Sequence, residues 1–212
     1  MSESLPSLLA HARAAARVAA DAIGTTAPIA ITTKTTVSDL VTEFDVLAEQ
    51  LIRGELKART PDIAVVGEEG GGERADIYWS VDPIDGTVNF AHGVPIWAVS
   101  IGLVRDGQPV AGVVLAPALG QEFYAAQGLG AFLVASRGST ASQAPRRLSV
   151  SGTPRLATSL LASGFPYDLG DPATNNFRQW EAMHRASHAC RRLGAASLDI
   201  CYVASGWFDG FW

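Results

Sequence analysis

Apolar positions recur at helical spacing over residues 5–23, LPSLLAHARAAARVAADAI, and predict a first helix with Ser4 at its start and Gly24 at its end. A second helix is expected over residues 40–59, with Val41, Phe44, Ala48, Leu51, Ile52 and Leu56 as its apolar stripe, Asp39 as its cap and Pro61 closing it. The period then shortens. Ile63–Val66 reads as a buried strand ending at Gly67-Glu68-Glu69, and residues 77–81 as another running into Asp82, where Pro83 is expected to turn the chain. Residues 96–104 and 109–116, joined by Asp106-Gly107, read as a hairpin. Residues 121–126 and 131–134 extend the sheet. A strand at 158–162 and helices near 174–186 and 195–205 follow, and Phe211-Trp212 reads as the opening of one more strand.

This order of elements predicts α/β layers in one domain. The polar stretch 136–147 reads as a long surface loop or as a boundary between two lobes, about 1–140 and about 146–212, the second incomplete. The chain has 212 residues, 48% apolar and 17% charged, which is the composition of a folded globular protein and not of a disordered one. No apolar run approaches the ~20 residues of a membrane span. Met1-Ser2-Glu3-Ser4 has no basic stretch before the first apolar residues, so no secretory leader is read and the cytoplasm is the expected compartment. A net charge of −5 argues against direct nucleic-acid binding. Cys190 and Cys201 match no zinc or redox spacing and are expected to be reduced packing residues in helical surroundings.

The candidate chemistry sits in Asp82-Pro83-Ile84-Asp85-Gly86-Thr87. Two carboxylates held on one bend, with the Ile84 carbonyl between them, offer the oxygen ligands that magnesium prefers. Gly86-Thr87-Val88-Asn89 reads as the first turn of a helix, whose N–H groups suit a phosphate. Glu68-Glu69 ends a neighbouring strand, and ligands gather at the carboxyl ends of strands in open α/β sheets. Adjacent residues point opposite ways, so Glu68 is chosen as the one facing the metal. Plainer readings stand beside each of these. The Asp-Pro-x-Asp-Gly stretch is an ordinary turn by composition, Glu68-Glu69 a solvated loop, Asp45 a solvent-facing acid on its helix, and Thr87 a helix cap. Two rival sites are weak. His184 and His188 lack the Glu of a zinc-protease helix, and Ser163-Gly164 lacks the flanks of a nucleophile elbow.

At these residues the sequence resembles the inositol monophosphatase family. The segment Asp82-Pro-Ile-Asp-Gly-Thr-Val-Asn-Phe90 is similar to that family's signature, Gly67-Glu68-Glu69 to its Glu motif, and Arg192-Leu-Gly-Ala-Ala-Ser-Leu-Asp199 to its later helix. The resemblance implies an α+β layered sandwich (αβαβα), two or three Mg2+ ions as cofactor, lithium sensitivity, a homodimer, and a small phosphorylated polyol or sugar as substrate. It implies that Glu68, Asp82 and the Ile84 carbonyl hold one ion, and Asp82 and Asp85 a second. Glu68 and Thr87 would activate the attacking water, with Asp45 and Lys34 behind them. The Gly86 and Thr87 amides would hold the phosphate, and Asp85 with the Ala195–Ala196 backbone would meet substrate hydroxyls. The family's C-terminal Trp-Asp motif, a further ligand for the second ion, has no counterpart in these 212 residues. Related sugar, nucleotide or histidinol phosphatases, and a regulatory partner in transcription or ribosomal RNA processing, are the alternatives.

Overall fold

The structure is a computed structural model that describes residues 3–24, 31–33, 40–135, 144–166, 169–171 and 173–212. Lys34, Asp39 and most of the 136–147 stretch lie outside them.

Helix α1 (Leu5–Ile23) begins with the Ser4 side chain accepting from the Ser7 N–H, with Pro6 in its first turn, and ends at Gly24 with φ 60°. Ala12, Ala15, Ala16, Ala19 and Ala20 are buried on one face beside Leu8, Leu9 and Ile23. These small side chains let α1 lie close to its neighbours, where every buried Leu or Ile contributes about 1.5–3 kcal/mol. The expected second helix starts later than its apolar pattern suggests. Residues Leu40–Thr42 form strand β2, antiparallel to β1 (Ile31–Thr33), and α2 runs Glu43–Arg59. The cap is therefore Thr42 and not Asp39. A capping box decides the boundary: Thr42 Oγ1 accepts from Phe44 N–H at 3.2 Å, and Asp45 Oδ2 accepts from Thr42 N–H at 2.7 Å.

The main sheet has seven strands in chain order: β3 (Ala64–Gly67), β4 (Ile77–Asp85), β5 (Ala98–Arg105), β6 (Gln108–Ala116), β7 (Gln121–Ala126), β8 (Gly130–Ala135) and β9 (Arg146–Arg147). Only β3 and β4 pair in parallel. Val99, Ile101 and Leu103 alternate along β5 and enter the core under α1 and α2, together with Trp79 from β4. The Trp79 indole is fully buried and donates to Thr60 Oγ1 at 3.0 Å, tying β4 to the end of α2. On the other face, Ala98, Phe123 and Leu133 pack with Ala195 and Leu198. The last two belong to α5 (Ala196–Ala204) and its cap residue.

Helix α5 touches β5 and β6 on one side and β12 (Gly210–Phe211) on the other. Strand β12 belongs to a small all-parallel sheet in which β10 (Leu160–Ala162) lies between it and β11 (Ala189–Arg191). Helix α4 (Phe177–Ala186) packs beside β11. Helices, large sheet, helix, small sheet and helix thus make the expected layered α/β architecture.

Several local expectations are corrected. Pro83 does not turn the chain: β4 continues through it to Asp85, past the end of β3, with a register shift against β5 between Asp82 and Asp85. A proline is tolerated at such an irregularity because no ladder N–H is needed there. Helix α4 begins at Phe177, because Asn176 before it is left-handed (φ 66°). Cys190 lies on a strand, not a helix; both cysteines are free thiols, as expected. His184 and His188 do not share a helix, since α4 stops at Ala186. Among the described residues no helix is long and apolar enough to cross a membrane.

Candidate active site

Three chain segments bring the acids together. The parallel register sets Gly67 of β3 opposite Val81 of β4, and the Glu68 N–H donates to the Val81 carbonyl at 3.1 Å. Glu68 and Asp82 are therefore the next residues on two adjoining strands. The third segment is the first turn of α2. Asp45 is 1% exposed, so it is no solvent-facing acid. Its Oδ2 accepts from Thr42 Oγ1 at 2.6 Å, and its Oδ1 from Thr87 Oγ1 at 3.1 Å. Thr87 opens α3 (Thr87–Ala91), and its hydroxyl also stands 3.0 Å from the Ile84 carbonyl. The Ile84 carbonyl thus has the Thr87 hydroxyl beside it.

Gly86 makes the bend possible. Its φ is 94°, and a Cβ there would lie 3.0 Å from the Ile96 carbonyl and 3.2 Å from the Ala195 side chain. Asn89 fastens the same junction, donating through Nδ2 to Ile96 and Leu193 carbonyls at 2.7 Å each. The result brings the start of α5 against Asp85. Asp85 Oδ1 accepts from Ala196 N–H at 3.1 Å, Oδ2 from Ser197 N–H at 2.7 Å, and the Ser197 hydroxyl also donates to Oδ2. Asp85 thus caps α5. A hydroxyl meeting the Ala196 amide would have to share it with this carboxylate.

The electrostatics follow from the crowding. Burial, then the charges of Glu68 and Asp85, a hydrogen bond with Glu68 and the charge of Asp45 push the Asp82 carboxyl up to about 9. Burial also raises Asp85, against the lowering effect of the bonds from Ser197 and Ala196. Asp82 Oδ1 is buried without a hydrogen-bond partner. Among the described residues no three His, Cys, Asp or Glu side chains form a ready-made cage for a metal. The donor set nevertheless fits a hard divalent cation: all donors are oxygens, and the orphaned Oδ1 together with the mutual repulsion calls for positive charge.

A cleft of about 580 Å3 adjoins the acids. Asp85, Gly86, Thr87, Ala195 and Ala196 line one side, and Phe165, Pro166, Leu169 and Phe177 the other. Glu68, Asp82 and Asp45 are not in its lining; they bear on it through Asp85 and Thr87. A larger hollow of about 650 Å3 between α5 and strands β5–β8 is lined by apolar and neutral residues and carries no acid, so chemistry selects the smaller one.

Three residues of this site were not anticipated. Ser197 lies in the Arg192–Asp199 segment that resembles the family's later helix, but its own role was not read from it. Asp199, also in the cleft lining, is 1% exposed with an unpartnered Oδ1, and burial followed by the Asp85 charge, opposed by Arg192, pushes it up to about 7. Glu49, 3% exposed, holds the Glu68 turn from α2. An acid on the buried stripe of a helix was a legible signal for Glu49, and the Thr42-x-x-Asp45 spacing for the capping box.

The model of the inositol monophosphatase family matches residues 3–212. The chain belongs to the inositol monophosphatase family. Among curated relatives, the Nus factor SuhB of Pseudomonas aeruginosa is 43% identical over 181 residues, covering 82% of this chain and 63% of the relative. The inositol-1-monophosphatase of Mesorhizobium japonicum is 40% identical over 178 residues, with the same two coverages of 82% and 63%. The chain therefore spans less than two thirds of the length of these family members. The crystal structure of the extragenic suppressor protein suhB from Bartonella henselae superposes with a TM-score of 0.79 at 32% identity, covering 99% of this chain and 78% of that one. The inositol monophosphatase of Anabaena gives 0.77 at 31% identity, covering 98% of this chain and 73% of that one. These solved family members share the layered fold described above.

Proposed function

We propose that this chain hydrolyses small phosphate monoesters in a magnesium-dependent reaction, with inositol monophosphate as the leading substrate. The observation that carries this reading is the orphaned, buried Asp82 Oδ1 amid Glu68, Asp85 and Asp45. Glu68, Asp82, Asp85 and the Ile84 carbonyl are the residues that would hold the cation, as one of two or three ions. When bound, the cation supplies positive charge that offsets the charge developing on the phosphoryl oxygens and the leaving oxygen.

The chain's own groups do the rest. Thr87 Oγ1 gives its proton to Asp45 Oδ1 or the Ile84 carbonyl, so its lone pairs are left to accept from a water and aim it. Glu68 accepts the other proton of that water as its oxygen attacks phosphorus. The ester P–O bond breaks, and the departing alkoxide takes a proton from a solvent water to leave as the alcohol, the hydroxide so formed taking up the proton that Glu68 received. The N–H groups of Gly86 and Thr87 would hold the phosphoryl oxygens. Helix α3 is a single turn, so these amides act as local donors rather than through a helix dipole. Asp85 and the Ala195–Ala196 backbone would meet hydroxyls of the leaving group in the cleft. A homodimer and lithium sensitivity go with this reading.

Phosphate release with and without Mg2+ tests the proposal, on inositol monophosphate, a sugar bisphosphate, histidinol phosphate and a 3′-phosphoadenosine phosphate. Asp85→Asn should lower Mg2+-dependent release roughly 100-fold. Retention of most of the activity would remove Asp85 from the cation site. The relative named a Nus factor supports a second reading, a regulatory partner in transcription or ribosomal RNA processing. A protein partner captured equally by the chain and by Asp82→Ala would favour it, and loss of catalysis with no partner would not.

A further inference from the structure

We infer that Glu49 is a positioning residue: its carboxylate fills an amide nest in the 67–71 turn and thereby aims Glu68 at Asp82. This rests on the reading of Glu68 as a cation-holding residue. Glu49 Oε2 accepts from the Glu69 N–H at 2.7 Å, and Oε1 from the Gly70 N–H at 2.8 Å. Arg53, one turn on, donates from Nε to Oε1 at 2.7 Å and from one terminal nitrogen to the Val65 carbonyl at 2.8 Å; its other terminal nitrogen donates to the Gly71 carbonyl. One helix turn of α2 therefore holds two amides and one carbonyl of the turn that carries Glu68, and one carbonyl of the strand before it.

Consecutive backbone N–H groups that converge make a natural seat for an anion. Here the anion is internal. The glycines around it leave the room it needs: a Cβ on Gly67 would lie 2.3 Å from the Glu49 carboxylate, and one on Gly70 2.6 Å from its Oε1. The Gly67-Glu68-Glu69-Gly70-Gly71 stretch is shaped around a side chain from another element. Two more bonds close the turn, from Gly67 N–H to the Gly71 carbonyl at 2.9 Å and from Glu68 N–H to the Val81 carbonyl at 3.1 Å. The latter lands one residue before Asp82. Without the Glu49 carboxylate the Glu69 and Gly70 amides lose their acceptor, and the Glu68 side chain loses the fixed backbone from which it points.

Glu49→Gln tests this in the full chain, because it keeps the shape but turns one acceptor into a donor facing N–H groups. Glu55→Gln, which breaks the other Glu–Arg pair on α2, is the control. Loss of a group that orients a ligand-bearing residue typically costs about 10- to 100-fold in metal affinity or turnover. For Glu49→Gln we expect kcat to fall by that factor with KM changed less than about twofold. Mn2+ affinity, read by titration without substrate, should fall about tenfold or more, and amide exchange at Glu69 and Gly70 should quicken while the β4–β6 amides hold. Glu55→Gln should leave all three readouts at the wild-type values. A Glu49→Gln protein with wild-type kcat and Mn2+ affinity overturns the inference and leaves the phosphatase reading intact. A wild-type chain that hydrolyses none of the four monoesters, yet loses Mn2+ affinity on Glu49→Gln, overturns the phosphatase reading and supports the inference. A wild-type chain that neither hydrolyses nor binds Mn2+ overturns both.

Discussion

Replacing the Asp82 carboxyl by an amide should make the cation-free protein more stable. The folded carboxyl is pushed from its ordinary value of 3.8 up to about 9, first by burial and then by Glu68 and Asp85. At pH 7 the folded protein therefore holds a proton that the unfolded chain has released. A folded pKa above the unfolded one means that stability is fully present below pH 3.8 and is lost as pH rises toward 9. At about 1.4 kcal/mol per tenfold, the rise from 3.8 to pH 7 costs up to about 4 kcal/mol. Asp82→Asn keeps the shape and removes this penalty. In a chain of this size each kcal/mol moves Tm by roughly 2–4 °C, so the variant should melt about 5–15 °C higher in EDTA at pH 7.5. At pH 4 the two curves should nearly coincide. If that oxygen holds the ion as proposed, Mg2+ should raise the Tm of the wild type and leave the variant almost unmoved. A variant that is less stable at pH 7.5, or a difference that is the same at both pH values, would refute the assignment of Asp82 as a buried acid with an unsatisfied Oδ1.

Two further outcomes concern the scaffold. Burial pushes the Glu122 carboxyl up, but Arg13 and Arg17 outweigh it and hold it below its ordinary 4.5, so its contribution is present above pH 4.5 and is lost as pH falls through the lower folded value. Glu122→Gln should cost about 1–2 kcal/mol at pH 7, with the gap to wild type closing on acidification in urea titrations. Trp79→Phe removes the donor to Thr60 and leaves a void under α2, so a loss of about 2–4 kcal/mol is expected in the same assay, with phosphate release little changed below the melting range.

Much of the fold was legible because it is written in local periods. The α1 stripe of alanines, the Asp106-Gly107 hairpin and the alternation of Val99, Ile101 and Leu103 each repeat at the spacing of the element they form. The errors came where a local rule met a tertiary one. Residues 40–42 look like the first turn of a helix, yet they pair with β1, and the capping box at Thr42 decides where α2 begins. Pro83 looks like a stop, yet a strand can carry it where its neighbour's ladder has already ended. Strand β10 falls within the strand expected at 158–162, whereas β11 is three residues long, too short for a period to stand out.

The site divides in the same way. Glu68, Asp82, Asp85 and Thr87 were legible in the chain as candidates, because oxygen-bearing side chains at an expected bend and strand end are the donors a hard cation takes. Which of the adjacent acids matter, and what holds them, was decided in three dimensions. Asp45 is an exposed acid or a buried partner of Thr87 depending only on how α2 meets α3. Asp85 finds Ser197 across 112 residues, and Glu49 finds the Gly70 amide across 21. Such contacts leave no spacing in a sequence, because hydrogen bonds between distant segments depend on packing geometry rather than on position along the chain.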